Sequence, residues 1–184
     1  MSIVRIRRLE VLPAVFLLVL VLEISPDRAH GSEELESAVR GSPRQSLAIV
    51  VNRSNPVDNL PFNELRKIFL GERGHWQNGR RIAVLMMEHG SPERETVLRE
   101  IYAMTEARYT DHFLRGLFDE DVSIVPKTLD SPARVRKFIV QAPGAIGYLR
   151  ASDADESVKV LRIDGHLPSD KDYRLQIDAN SENQ

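Results

Sequence analysis

Residues 88–101 read EHGSPERETVLREI and directly follow an apolar run, IAVLMM, at residues 82–87. Gly90, Ser91 and Pro92 lie near the start of this stretch, so the pattern predicts a strand that ends, turns tightly and enters a helix. Ser91 has the side chain of an N-cap, and Pro92 suits the first helical position, where its missing N–H is not needed. The free N–H groups of such a helix start attract anions. The stretch therefore predicts a strand–turn–helix unit with a weakly anion-attracting end.

Strand signals recur on both sides of this unit. Short apolar runs predict strands at residues 47–52, 81–87, 122–126 and 145–149. A polar–apolar alternation predicts one more strand at residues 158–163, with one exposed face.

Helical spacing of apolar residues predicts helices between these strands. Strands that alternate with helices indicate an α/β fold with a mostly parallel sheet of about 4–5 strands flanked by helices. The predicted inner faces of the helices are Phe62, Leu65, Ile68 and Phe69; Val97, Leu98, Ile101 and Met104; Phe113, Leu114 and Leu117; and Val135, Phe138, Ile139 and Ala142.

Composition limits the function classes. The 184 residues favour one domain, and a hydrophobic content of 42% is ordinary for a globular core. Charge is nearly balanced, with 25 Lys and Arg against 27 Asp and Glu, and no basic face indicates nucleic-acid binding. The chain has no cysteine, which excludes disulfides and thiol chemistry.

The N-terminus has the pattern of a secretory signal. Arg5, Arg7 and Arg8 precede an apolar segment from Val11 to Leu22 that is short for a membrane span. Small residues near Gly31 predict cleavage there and a periplasmic location for the mature protein. An uncleaved signal that anchors the chain in the membrane is the alternative.

Composition divides the chain into four segments. Residues 1–31 are the predicted signal peptide, residues 32–45 a polar linker, residues 46–165 the α/β domain and residues 166–184 a polar C-terminal tail. Tyr173 and Leu175 in this tail are expected to pack back onto the domain.

Little in the sequence indicates catalysis. His89 beside Ser91 is the one pair that suggests hydrolysis, but no nucleophile-elbow motif surrounds Ser91, and serines at helix starts are commonly caps. Metal-ligand spacing and glycine-rich phosphate loops are absent, and the acidic triplet 119–121 fits a solvated loop. We therefore expect a protein that is not an enzyme and has no metal or cofactor.

Several motifs follow one another in a distinctive order along the chain. They are residues 48–57 (AIVVNRSNPV), 63–71 (NELRKIFLG), Trp76 with Asn78-Gly79, Gly90-Ser91, residues 143–148 (PGAIGY), and Asp164-Gly165 with Asp172-Tyr173. This order resembles one lobe of the phosphate ABC-transporter substrate-binding proteins. The resemblance extends over nearly the whole mature chain and implies a type 2 periplasmic binding protein fold, in which two α/β lobes close over an oxyanion such as phosphate.

The resemblance implies an oxyanion site at Gly90 and Ser91, which match the family's Gly-Ser loop, with Arg94 as the nearby cation. The family's Arg and Asp before the loop fall at Met87 and His89, and its Gly-Thr after the loop falls at Pro92 and Glu93. A missing Arg removes a charge-assisted hydrogen bond. Glu93 and Glu95 in the first helical turn are expected to repel an anion that the helix dipole attracts by about 1 kcal/mol. Weakened phosphate binding is the expectation.

The length of the chain affects which partners are expected. A two-lobed binding protein needs roughly twice the residues present here, so this chain is expected to supply one lobe of a cleft. It then forms a homodimer, pairs with an ABC-transporter permease or another envelope protein, or has lost the cleft function. The alternative to anion binding is an envelope protein-interaction or regulatory module that kept the fold.

Overall fold

The computed structural model describes residues 45–119 and 124–177. The predicted signal peptide, nearly all of the predicted linker and the end of the predicted tail lie outside the described residues. Within the described residues, no helix has the length and apolar character that crossing a bilayer requires.

In the described residues, strands and helices alternate in the middle of the chain, and strands follow one another at both ends. The strands are β1 (Gln45–Val51), β2 (Asn59–Leu60), β3 (Ala83–Met87), β4 (Lys127–Leu129), β5 (Ala145–Arg150), β6 (Lys159–Val160), β7 (Arg162–Ile163) and β8 (Gln176–Ile177). The helices are α1 (Phe62–Phe69), α2 (Pro92–Val97), α3 (Glu106–Asp119) and α4 (Pro132–Gln141); a π-helical turn (Leu98–Tyr102) continues α2, and a 3₁₀ turn (Ala151–Asp153) follows β5.

The main sheet has the order β4-β3-β5-β1-β6, and β8 also pairs with β1. Strand β3 is parallel to β4 and to β5, whereas β1 is antiparallel to β5, β6 and β8. Strands β2 and β7 form a separate parallel pair. The α/β architecture expected from the sequence is confirmed, and the pairing around β1 makes the sheet mixed.

Helices cover both faces of the sheet. On β5, a Cβ added at Gly147 would come within 3.3 Å of Val135 of α4. The next residue, Tyr148, points to the opposite face, where its ring lies 6.5 Å from that of Phe69 of α1. Alternate residues of one strand therefore contact helices on opposite faces.

Tyr148 also contacts the end of a neighbouring strand. The register of β3 with β5 pairs Ala83 with Ala145 and Val84 with Ile146. At Met87, the last residue of β3, the backbone N–H donates to the Tyr148 hydroxyl at 2.8 Å. A buried side chain thus binds the N–H at the end of β3.

Two glycines of the motif PGAIGY are explained by close packing. A Cβ at Gly144 would lie 2.1 Å from the backbone oxygen of Arg81, far inside van der Waals contact. A Cβ at Gly147 would be 3.2 Å from Cβ of Leu85 on the adjacent strand. The motif therefore lets β5 approach β3 and the segment before it.

The predicted inner face of the third helix is partly wrong. Phe113 is buried, but Leu114 and Leu117 are 54% and 59% exposed. The inner face instead includes Tyr109 and Phe113, whose rings pack edge to face at 4.9 Å. These residues lie four apart, so they stack along one side of α3, whereas Leu114 is rotated away from that side.

Two other details differ from the sequence expectations, and one agrees with them. The third strand spans Lys127–Leu129, after residues 124–126, which have no strand structure. The predicted strand at 158–163 consists of two short pieces that pair with different partners, β6 with β1 and β7 with β2. Tyr173 and Leu175 do pack into the core, as expected, together with Ile177 of β8.

Candidate functional site

Strands β3 and β4 end side by side. Met87 is in register with Leu129, and the Glu88 N–H donates to the Leu129 carbonyl at 3.0 Å. Each strand then leads into a helix that begins with Ser-Pro. Ligands of open α/β sheets bind beyond the carboxyl ends of the strands. The predicted anion site therefore lies at the edge of the sheet where such ligands are found.

The turn between β3 and α2 has the predicted conformation. Gly90 has a φ of 82°, which favours glycine, and a Cβ there would have no atom within 4 Å. The Ser91 hydroxyl accepts from the Arg94 N–H at 3.2 Å and donates to the Glu88 carbonyl at 3.1 Å. The hydroxyl proton of Ser91 is therefore used within the turn, and not in a hydrogen bond to His89.

The helix after this turn is short. Helix α2 has six residues, and the π-helical turn extends it to Tyr102, where Ala103 ends it with a left-handed φ of 54°. The Arg66 side chain of α1 donates to the carbonyl of Ile101 at 2.8 Å. Packing and a side-chain hydrogen bond from another helix thus hold the end of this segment.

Arg94 points into the protein. Its side chain is 6% exposed, and Nε and Nη2 donate to the two carboxylate oxygens of Glu106 at 2.9 and 2.6 Å. Nη1 donates to the Met87 carbonyl at 2.8 Å, and the Tyr109 ring lies 4.8 Å from the guanidinium carbon. In this conformation the guanidinium is bound by groups of the chain itself.

Glu93 also points inward, and this corrects one expectation. Its buried carboxylate accepts a hydrogen bond from Nε of Arg150, at the end of β5, and Arg150 also donates to Gln45. Glu93 therefore forms an ion pair at the sheet and does not lie on the outer surface of the first turn, where it was expected to repel an anion. Glu95 is exposed, so that repulsion rests on Glu95.

The ion pair of Arg94 and Glu106 shifts the pKa of both groups. The hydrogen bond from Arg94 lowers the pKa of the Glu106 carboxyl, and the same bond raises the pKa of Arg94. Burial raises the pKa of the neighbouring tyrosines Tyr102, Tyr109 and Tyr148. At neutral pH the cluster therefore holds one cation, one carboxylate and neutral phenols.

A pocket of about 260 Å³ opens beside this turn. Gly90 and His89 line one side, and Thr105 and Glu106 line another. Glu106 thus contacts both the pocket and Arg94, whereas Arg94 does not line the pocket. The turn at Gly90, the acid at Glu106 and the pocket together form the candidate site.

A larger cavity of about 430 Å³ lies next to Trp76 and shares no lining residue with the pocket at Gly90. The Trp76 indole donates to the Gly144 carbonyl at 3.0 Å and is buried. Trp76 therefore acts as an anchor between the loop and the strand β5. In the described ranges, no group of three or more His, Asp or Glu side chains is placed to hold a metal ion.

Comparisons with known proteins bear on this arrangement. No protein-family model matches the chain. The chain is 33% identical to the phosphate-binding protein PstS of Bacillus subtilis (strain 168) over 128 residues, which are 68% of this chain and 38% of that protein. The chain is a partial-length relative of the phosphate ABC-transporter substrate-binding proteins.

Solved structures show the same fold in this family. An ABC-type phosphate transport receptor from Vibrio cholerae matches with a TM-score of 0.57 and 23% identity, over 68% of this chain and 49% of that one. PstS from Borrelia burgdorferi matches with a TM-score of 0.52 and 16% identity, over 68% and 50% of the two chains. Our chain spans half or less of these relatives.

The sequence did not indicate three groups at the site. Glu106, Tyr109 and Arg150 contact the predicted residues, but they lie 12 to 57 positions away from their partners. The sequence does contain one local pattern at Arg94, which is an arginine in the first turn of a helix that begins with Ser-Pro. Within residues 45–119 and 124–177 that pattern occurs twice, and of its two arginines only Arg94 is buried.

Proposed function

We propose that this chain binds a phosphate-like oxyanion weakly, outside the cytoplasm, at the turn of Gly90 and Ser91, with Arg94 as a contributing cation. The chain's relation to the phosphate ABC-transporter substrate-binding proteins supports the ligand class. The predicted signal at residues 1–31 supports the location.

The observation that carries the proposal is the position of the turn. Gly90 lines a pocket at the carboxyl edge of the parallel strands, and the helix start after it is capped by Ser91. The first backbone N–H groups of a helix favour a negative charge. The pocket of about 260 Å³ has ample room for a small oxyanion.

Weak binding follows from the charges around the pocket. The attraction of a helix start for an anion amounts to about 0.3–1 kcal/mol. A hydrogen bond to a charged group contributes about 1.5–3 kcal/mol, but Glu106 takes the two bonds of Nε and Nη2 of Arg94. The pocket lining contains the acids Glu95 and Glu106 and one arginine, Arg99, so its formal charge is negative. We therefore expect a Kd for phosphate of about 1 mM or weaker, where 1 mM corresponds to roughly 4 kcal/mol.

The names of the relatives place them in phosphate transport, and we extend this to partners of the present chain. A two-lobed enclosure of an anion requires a second surface, which a second copy of the chain or an ABC-transporter permease or envelope protein would supply. Sedimentation velocity with and without phosphate tests the homodimer: a monomer at both conditions contradicts it.

Calorimetry tests the site directly. Phosphate and sulfate are titrated into the wild-type chain, into Ser91→Ala and into Ser131→Ala. Ser131 is a matched control, because it caps α4 in the same way by accepting from the Arg134 N–H at 3.4 Å. We expect Ser91→Ala to weaken phosphate binding about 5- to 10-fold, in line with roughly 1 kcal/mol for the loss of a cap and its alignment of the turn.

The outcomes of this titration distinguish anion binding from the interaction module. Binding that is unchanged in Ser91→Ala, or weakened equally in Ser131→Ala, contradicts the site. Absence of heat with either anion at concentrations well above the expected Kd contradicts the function and leaves the envelope interaction module as the explanation for the conserved fold.

A further inference from the structure

The guanidinium of Arg94 binds Glu106 in the geometry that guanidinium groups use for external oxyanions. Nε and Nη2 donate side by side to the two oxygens of one carboxylate, at 2.9 and 2.6 Å. Bidentate pairs of this kind are how arginine recognises carboxylates and phosphates. An anion that reached this side of Arg94 would therefore need the position that Glu106 occupies.

Burial of the two partners is unequal. The Arg94 side chain is 6% exposed and the Glu106 side chain is 31% exposed. Glu106 lines the pocket next to Gly90 and Thr105, and Arg94 does not. The carboxylate thus lies on the solvent side of the guanidinium.

Arg94 is held in place from its other sides. The Met87 carbonyl accepts from Nη1 at 2.8 Å, and the Tyr109 ring lies 4.8 Å from the guanidinium carbon. These contacts do not depend on Glu106, so the guanidinium keeps its position when the Glu106 side chain moves. Glu106 is the first residue of α3, and rotation about its own side-chain bonds moves its carboxylate without unwinding the helix.

We propose that Glu106 is an internal competitor for the oxyanion: its carboxylate occupies Arg94, and an external phosphate or carboxylate gains the guanidinium only when Glu106 is displaced. This inference rests on the proposed function, because it names the group that limits binding at the same site. The ion pair of Arg94 and Glu106 then acts as an autoinhibitory contact beside the pocket.

Removing the Glu106 carboxylate tests the competition. Inorganic phosphate and formate are titrated by calorimetry into the full-length wild-type chain, Glu106→Ala and Glu106→Gln. Glu106→Ala leaves an unpaired arginine and a space of carboxylate size, so we expect phosphate affinity to rise at least 10-fold and formate binding to appear. Glu106→Gln keeps the shape without the charge, and we expect a smaller rise.

Two controls identify the cause. Glu64→Ala removes a glutamate from another ion pair, with Arg73 at 2.9 Å, away from the pocket, and its phosphate affinity should equal that of the wild type. The double variant Arg94→Leu/Glu106→Ala lacks the guanidinium, so the gain should disappear. A gain that persists in the double variant overturns the proposal.

The test distinguishes this inference from the function on which it rests. Wild-type binding that depends on Ser91, with no gain in Glu106→Ala and Glu106→Gln, overturns the competition and leaves the function in place. A gain in the Glu106 variants without wild-type binding supports the competition and contradicts anion binding by the native chain. Folding of each variant is checked by thermal melts, and Glu106→Gln decides the result where Glu106→Ala does not fold.

Discussion

The two helix starts at the carboxyl edge of the sheet share one sequence pattern, Ser-Pro-x-Arg, and differ in where the arginine goes. Ser91 and Ser131 accept from the N–H of their arginines at 3.2 and 3.4 Å, so the caps are equivalent. Arg94 is 6% exposed, whereas Arg134 is 68% exposed and pairs with Asp130 at 3.0 Å. The local pattern fixes the cap but leaves the direction of the arginine open.

Tertiary contacts explain this difference. At α2, the carbonyl of Met87 and the carboxylate of Glu106 offer acceptors on the inner side, and Tyr109 covers the guanidinium. At α4, the acid lies just before the helix, in Asp130, and draws the arginine outward. The same cap thus precedes a buried arginine in one place and an exposed arginine in the other.

The largest expected difference between the two starts is in stability. Arg94→Ala breaks a largely buried pair and leaves the Met87 carbonyl without its donor, so we expect a loss of about 3 kcal/mol in the free energy of unfolding. Arg134→Ala removes an exposed pair and should cost no more than about 0.5 kcal/mol. Urea denaturation of both variants measures this. Equal losses would show that the burial of Arg94 adds nothing to stability.

The caps should contribute alike. Ser91→Ala and Ser131→Ala each lose a side-chain acceptor for one N–H at a helix start, and we expect each to cost about 1 kcal/mol. Thermal and urea unfolding of the pair checks this equality. A loss confined to Ser91→Ala would mean that the first start has a further stabilising role that the hydrogen bonds do not show.

The smallest expected effect is a dependence on pH. Arg94 lowers the pKa of Glu106 in the folded chain below the ordinary value of 4.5, so the unfolded chain binds the proton more tightly. The stabilisation from the Glu106 charge is therefore complete above pH 4.5 and is lost as pH falls through the lowered pKa. The stability difference between wild type and Glu106→Gln should be constant near neutral pH and shrink in acid.

Stability measurements on a second variant, at the same pH values, are the control for that pH dependence. Asp130→Asn removes the corresponding acid at the second helix start, where the pair is exposed. Measured at the same pH values, it reports how an exposed pair behaves. A difference between wild type and Glu106→Gln that stays constant into strong acid would contradict the assigned role of the Arg94–Glu106 bond.

Periodicity predicted most of the fold because local burial patterns decide it. Helix α1 has the expected buried face, and β1, β3 and β5 lie where the apolar runs predicted strands. Helix α3 shows the limit: Phe113, Leu114 and Leu117 fit one helical face, but Tyr109 and Phe113 define the face that packs. Both faces contain apolar residues, and only contact with the π-helical turn, through Tyr102, selects between them.

The sequence predicted the turn of the candidate site but not the partners of its charged side chains. Gly90 and Ser91 have the conformations that their residue types require, which are local properties. Arg94 was expected to contact the anion and Glu93 to repel it, but both side chains find partners on other elements, Glu106 on α3 and Arg150 on β5. The direction of a long charged side chain depends on acceptors brought near by the fold, and no local pattern contains that information.

The hydrogen bond from the Met87 N–H to the Tyr148 hydroxyl has a consequence for the dynamics of this region. The amide at the end of β3 is protected from solvent by a phenol of the core and not by a carbonyl of the adjacent strand. Its hydrogen exchange therefore follows the breaking of the contact between Tyr148 of β5 and the end of β3. Exchange of this one backbone proton thus reports the opening of the core next to the turn that leads into α2.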